Sequence, residues 1–365
     1  EAAPAVPAAA PRHPADEARP TLAAVAARAG VSPSTASLAF SGSGPVSDAT
    51  RERVLAAARE LNYAGPDPRA RSLRRGRSGI VGVVLEERVS DAFHDPIKIA
   101  MLDGLSERVG EIGAAVLILT DAGREAAGQA VTVGDAPMDA AVLIGCGPRL
   151  DETITTLRNR GIPVVAIEGY PGEGVLEIAQ DNREATALGA RHLRDLGHER
   201  VAVVTLPFDR GARGPLTPQM IASSTSRTSI DRLAGARDVF PDAVAVAAAG
   251  SFVDEGDRAA RLLLDVPAGQ RPTAVIAQSD LLAAGVIRAA EELGIRVPEE
   301  LSVLGFDGVR VEGLWPYDLT TLVQPAVDKG RAAGRAVLQM LAGEVAQPVA
   351  FTSDLHIGNT TAPPG

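Results

Sequence analysis

The chain has 365 residues, of which 45% are hydrophobic and 22% charged, and its net charge is −10. At about 100–200 residues per domain this is enough for two or three cores. A single cysteine, Cys146, excludes an internal disulfide framework and fits a reducing, cytoplasmic setting. No run of about 18 apolar residues is present to cross a membrane. Aromatic residues make up only 3%, so Ala and Val must supply most of the core volume, and Lys98 and Lys329 are the only lysines.

The average charge hides an asymmetry. Between Pro20 and Gly79 nine Arg face two Asp and two Glu, a local balance of +5 that leaves about −15 for the rest. A basic head on an acidic body points to nucleic-acid contact by the head alone. Residues 1–19 are rich in Ala and Pro with charges mixed through them. They lack the basic start and unbroken apolar core of a secretory signal, and read as a disordered leader.

In chain order, Thr21 is placed to cap a helix running to about Ala29, with Leu22, Val25, Ala26 and Ala29 on one face. Gly30-Val31-Ser32 breaks it, Ser32 caps the next helix and Pro33 takes its first position. That helix runs to about Phe40 and ends in a Gly-rich stretch. Ser47 then caps a third, with Val54, Leu55, Ala58 and Leu61 as its apolar face. Three short helices with a Gly turn between the first two predict a helix-turn-helix domain over 20–63. Residues 64–79 are polar, Pro-containing and Arg-rich, the texture of a linker.

From Ile80 onward, apolar runs at 80–85, 114–119, 140–144 and 163–167 read as buried strands. Further strands are predicted at 201–205, 243–248, 274–277 and 302–306, and helical patterns lie at 101–113 and 183–196. Strands apolar on both faces alternating with helices predict an α/β body over 80–365, with parallel sheets in two lobes and a cleft between them. Phe208 to Ser229 breaks the pattern: it is either a mobile loop or a functional lid.

These residues resemble a known family. Thr21-Leu-Ala-Ala-Val-Ala-Ala-Arg-Ala-Gly-Val-Ser-Pro-Ser-Thr-Ala-Ser37 is similar to the opening helices of lac-repressor-type transcriptional regulators. Val46-Ser47, Thr50-Arg51-Glu52-Arg53-Val54 and Leu61-Asn62-Tyr63 follow in the family's order. Ala70-Arg71-Ser72-Leu73 with Gly76-Arg77-Ser78 resembles the hinge. In the body, Asp181-Asn182, His192-Leu193, Gly197-His198, Arg232-Leu233-Ala234-Gly235, Gly305-Phe306-Asp307, Leu319-Thr320-Thr321 and Gln324-Pro325 complete the series. The order and spacing of these motifs are more specific than any one of them.

The resemblance implies a repressor that binds double-stranded operator DNA as a homodimer under the control of a small, sugar-like effector. By position, Pro33, Ser34 and Leu38 would face base edges. Pro33 and Leu38 offer only apolar contact, for example to a thymine methyl, where the family often has larger hydrogen-bonding residues. Thr21, Ser32, Thr35, Ser37, Thr50 and Tyr63 would meet phosphates, with Ser32 and Ser47 capping helices as well. Leu73 would wedge into the minor groove, flanked by Arg69 and Arg71.

In the cleft, Asp307 would accept and Arg232 donate hydrogen bonds to ligand hydroxyls, and Phe252 would stack on the ligand or pack in the core. Ser279 and Gln324 complete the set, with Asp280 beside them as a ligand contact or a helix cap. Lys98 stands where the family commonly has an aromatic residue, as does Ile97. It either admits an acidic effector such as a phosphorylated or uronic sugar, or is a solvated lysine on a helix.

Other classes fit less well. The five His are scattered, and no Gly-x-Ser-x-Gly elbow, phosphate loop or Cys/His metal spacing is present. Gly145-Cys146-Gly147 is only a fragment of a dinucleotide fingerprint. Neither catalysis nor a cofactor nor a metal is therefore expected. The competing class is a solute-binding protein of the periplasmic sugar-receptor type, which shares the two-lobed body but has no use for a basic head.

Overall fold

Two units make up the chain, Glu1–Ser78 and Gly79–Gly365. A computed structural model describes residues 20–42, 44–65, 76–86, 88–120, 132–145, 151–169, 172–208 and 212–365. The leader and the hinge residues Arg69, Arg71 and Leu73 lie outside them.

Among the described residues of the first unit there are three helices, α1 (Leu22–Ala29), α2 (Pro33–Ser41) and α3 (Asp48–Glu60). Each begins on a hydroxyl that accepts a backbone N–H: Thr21 from Ala24, Ser32 from Thr35, and Ser47 from Thr50. These caps satisfy donors that a helix start leaves open. Gly30 ends α1 at φ +67°, a left-handed conformation that allows the tight turn into α2. The core is small and built largely from alanines: Val25, Ala26, Ala36, Ala39, Val54, Ala57 and Ala58. Tyr63 closes it edge-on against Phe40, with ring centroids 5.6 Å apart.

The second unit holds two parallel-stranded sheets. Lobe 1 is built on β1 (Ile80–Leu85), β2 (Ala115–Thr120), β3 (Ala140–Ile144), β4 (Val164–Ile167), β5 (Val175–Gln180) and β12 (Val349–Phe351), in the order β12-β5-β4-β3-β1-β2 and parallel throughout. Short helix α4 (Val89–Ala92), α5 (Pro96–Glu111), α6 (Asp151–Asn159) and the C-terminal α12 (Ala326–Ala342) belong to it.

Lobe 2 uses β6 (Val201–Thr205), β7 (Gly214–Pro215), β8 (Val244–Ala247), β9 (Ala274–Ala277), β10 (Ser302–Asp307), β11 (Thr320–Val323) and β13 (Asp354–His356). Their order is β13-β11-β10-β9-β6-β8-β7, antiparallel only at the two edge pairs. Helices α7 (Asn182–Asp195), α8 (Pro218–Ser223), α9 (Arg227–Val239), α10 (Val253–Leu264) and α11 (Asp280–Glu292) complete it. Both faces of each sheet carry buried apolar clusters, which is why the strands read as continuous apolar runs.

The chain passes between the lobes three times: from β5 into α7, from β11 into α12, and from β12 into β13. The second passage returns the chain to lobe 1, where α12 packs on α5 at unusually short range. A Cβ on Gly330 would lie 2.0 Å from the Met101 carbonyl oxygen, and one on Gly104 would lie 2.0 Å from that of Val327. Glycine at both points lets the backbones touch and so seats the first turn of α12 beside β4.

Most predicted strands and helices are present within a few residues. Residues 212–229 of the stretch that broke the pattern include a strand and a helix. Phe208 is buried in the lobe 2 core, and β7 and α8 follow it. The Ser224 hydroxyl donates to the Phe208 carbonyl, and the Ser229 hydroxyl to that of Pro207.

Candidate functional site

A cavity of about 660 Å³ lies between the lobes, within the range of small-molecule sites. It opens at the carboxyl ends of the strands, where open α/β sheets place their ligands. Lys98, Arg232, Phe252, Ser279, Asp307 and Gln324 all line it. The fold thus brings together residues that span more than two hundred positions of sequence.

Local structure sets each of them. Asp95 caps α5 by accepting from the Ile97 N–H, and Lys98 follows one turn later with its ammonium 3.7 Å from the same carboxylate. Lys98 is thus a mostly buried wall residue rather than a solvated one. Phe252 precedes α10, and its ring lies across Gly250, where a Cβ would be 2.3 Å from the ring edge. Ser279 caps α11 by accepting from the Leu282 N–H, and it also receives the Ser251 hydroxyl at 2.8 Å.

The cap role therefore belongs to Ser279 and not to Asp280. Asp280 is fully buried and holds the segment after β10 instead: it accepts from the Thr321 hydroxyl at 2.5 Å and from the Val309 N–H at 2.8 Å. Room for its carboxylate comes from Gly305, where a Cβ would sit 2.3 Å from Asp280 Oδ1. Burial pushes the Asp280 carboxyl up to about 7, against the hydrogen bonds from Thr321 and the backbone.

Arg232 is the centre of the floor. It is buried on α9, with its guanidinium carbon 3.5 Å from the centroid of the Phe306 ring. Nε donates to Asn182 Oδ1 at 2.8 Å, and one terminal nitrogen to the Gln278 carbonyl at 2.5 Å. Carboxylates of Asp307 and Glu168 lie 3.7 Å from its two terminal nitrogens. Much of its donor capacity is spent inside the protein, so it shapes the floor as well as facing the cavity.

Sequence reasoning did not place Glu168, Asn182 or Lys329 at the effector site, although Asn182 belongs to one of the family motifs. Glu168 follows β4, lines the cavity, and receives Lys329 Nζ and the Asn182 amide. Burial pushes its carboxyl up, but Lys329 and Arg232, aided by those hydrogen bonds, hold it down at about 2. Lys329 also donates to Gln324 Oε1, and the Gln324 amide nitrogen donates to Asp307 at 2.5 Å. A ring of side chains therefore runs Glu168, Lys329, Gln324, Asp307, Arg232 and back to Glu168.

Asp307, at the end of β10, is pushed well above the usual carboxylate range. Burial is the main cause, reinforced by Asp280 and Asp95 and opposed by Arg232. Glu168 and Asp307 both carry positive φ, +62° and +121°. Such backbone strain is concentrated at ligand sites. One signal for Lys329 was available: it falls on the α12 face that carries Ala326, Gly330, Ala333 and Val337, all buried.

In the first unit, Pro33, Ser34 and Leu38 lie exposed on α2. Thr21, Ser32, Thr35 and Thr50 sit at or near helix starts and Ser37 in the middle of α2, with the Ser32 and Thr35 hydroxyls 2.8 Å apart. Tyr63 packs its ring into the small core. Arg69, Arg71 and Leu73 lie outside the described residues.

A two-lobed α/β body with a cleft, carried on the same chain as a capped three-helix head, is the architecture of a DNA-binding regulator with a ligand-binding domain. Residues 21–65 match the family model for bacterial regulatory proteins, lacI family, and residues 190–361 match that for a periplasmic binding protein-like domain. The transcriptional regulator IpsA of Corynebacterium glutamicum is 32% identical over 354 residues, covering 94% of this chain and 98% of that protein. The chain belongs to the lacI family and is a DNA-binding transcriptional regulator.

Solved structures agree. A family regulator from C. glutamicum is 28% identical with a TM-score of 0.68, covering 93% of this chain and 98% of that one. CelR in complex with cellobiose is 26% identical with a TM-score of 0.63, covering 94% and 100%.

Proposed function

We propose that this regulator represses transcription as a homodimer on a near-palindromic operator, and that a small sugar-like effector in the cleft sets its affinity for DNA. The observation that carries the effector reading is the convergence of Lys98, Arg232, Phe252, Ser279, Asp307 and Gln324 on one cavity. An aromatic face beside forked donors and acceptors suits a ligand with vicinal hydroxyls. The sugar complex of CelR supports the same class.

On DNA, the exposed first turns of α2 enter the major groove. Ser34 hydrogen-bonds a base edge, and Pro33 and Leu38 make apolar contacts. The hydroxyls at helix starts and Tyr63 fix register on phosphates. Arg69, Arg71 and Leu73 take the minor groove. One such head covers little surface, so a dimer on two half-sites supplies the affinity.

The three passages between lobes are the pivot about which the lobes move. Effector that prefers one lobe arrangement shifts the population and with it operator affinity. No helix among the described residues is long and apolar enough to cross a membrane. The protein works on cytoplasmic DNA as a binding protein and not as a catalyst.

Footprinting on genomic fragments tests this directly. A protected site with two-fold symmetry, bound by two chains in sedimentation, is expected. A panel of sugars should contain at least one that weakens or strengthens the footprint. A protected site without symmetry would refute the dimer, and a panel that leaves the footprint untouched would refute the effector class.

A further inference from the structure

Lys329 is fully buried, and burying an ammonium is costly unless it is paired and hydrogen-bonded. Its partners therefore define its role. Nζ donates to Glu168 of lobe 1 and to Gln324 in the passage between lobes. Both partners line the cavity, while Lys329 stands behind them.

Two consequences reach the ligand space. An ammonium has only donors, so Gln324 must turn its amide oxygen toward Lys329 and its nitrogen toward Asp307. Glu168 in turn meets the cavity already compensated: Lys329 lies against one oxygen, and Asn182 and Arg232 approach the other at 3.1 and 3.7 Å. Elsewhere in the wall Lys98 lies 3.7 Å from Asp95, and Arg213 lies 3.0 Å from Glu255. Glu168, Asp95 and Arg213 thus each meet an opposite charge before any ligand arrives.

Building on the effector reading above, we propose that Lys329 is a specificity-determining residue of the cleft. From behind the wall it supplies the positive charge that Glu168 would otherwise draw from a ligand, and so reserves the floor for neutral polyhydroxylated effectors. It acts through Glu168 and Gln324 and is a positioning residue.

Two single variants of the full chain test this with opposite signs. Lys329→Gln removes the charge but keeps an amide donor for Glu168. Glu168→Gln removes the carboxylate and leaves the ammonium in place. The glucose and galactose series, each as neutral sugar, protonated amino sugar and uronate, are titrated calorimetrically into both variants and the wild type, with circular dichroism to confirm folding.

Lys329→Gln is expected to gain amino-sugar affinity over wild type by at least about tenfold, about 1.4 kcal/mol. Glu168→Gln is expected to gain uronate affinity by a similar factor. A lysine with only a structural role would weaken all three forms together. The absence of both gains in folded variants overturns the proposal, whether or not the neutral sugars bind. If one variant does not fold, the gain or its absence in the other decides. Failure of the effector reading is seen separately, as sugars that leave operator affinity of the wild type unmoved.

Discussion

The guanidinium carbon of Arg232 lies over the ring of Phe306, 3.5 Å from its centroid, while its nitrogens bind Asn182 and Gln278 and approach Glu168 and Asp307. Stacking and forked donation at once require a planar cation, so lysine is not a conservative replacement. Arg232→Ala takes the cation away from buried Asp307 and leaves Glu168 with Lys329 as its one cation, and is expected to cost about 3–5 kcal/mol of stability. Arg232→Lys should cost less but still abolish the effector response. Urea denaturation and effector titration check the two parts.

Asp280 and Asp307 give the body a pH dependence. Both carboxyls are raised in the folded chain, Asp280 to about 7 and Asp307 well above its usual range. A group raised on folding contributes stability that is full below its unfolded value, near 4, and is lost as pH rises through its folded one. Stability is therefore expected to decline between about pH 4 and pH 7 on account of these groups. Glu168 has the opposite sign: its contribution is lost only as pH falls through about 2. Asp280→Asn can keep the Val309 N–H on its oxygen while the Thr321 hydroxyl reverses to accept. This variant should flatten the decline, as read from urea midpoints across that pH range.

The contact between α5 and α12 is set by backbone proximity at Gly104 and Gly330. Gly330→Ala places a methyl 2.0 Å from the Met101 carbonyl oxygen, which no rotamer change can relieve. A loss of about 1–3 kcal/mol is expected from the forced separation. The shift also moves the first turn of α12, and with it Lys329. Thermal melting should show the loss, and effector affinity should fall with it.

Ser32 and Leu38 separate positioning from reading on the same helix. Ser32→Ala removes the α2 cap at a cost of about 1 kcal/mol, and should weaken binding to every operator variant alike. Leu38→Ala leaves the cap intact and should change the preference among variants, with little effect on non-specific binding. Competition among a set of operators that differ at single base pairs distinguishes the two patterns.

Much of the architecture was legible in the chain because it depends on neighbours in sequence. Thr21, Ser32 and Ser47 announced three helices by their own side-chain chemistry, and Gly30 announced the turn between the first two. The apolar runs of β1, β3, β6 and β9 predicted parallel sheets, since only strands covered on both sides stay apolar throughout. Less periodic segments were hidden: β5, with Glu177 in its midst, and α8, which follows a Gly- and Pro-rich stretch. The role of Asp280 was also misplaced, because Ser279 beside it was equally able to cap.

What the sequence determined by itself is the class of protein: a capped three-helix head, an α/β body, and the six residues expected around an effector. What only the tertiary structure decided is how those six are held. Glu168 and Lys329 are 161 residues apart, and Arg232 and Asn182 are 50 apart. Compensation of a buried charge falls off over a few ångströms of space, not along the chain. No local pattern could show that the ammonium behind the cleft belongs to the carboxylate in its wall.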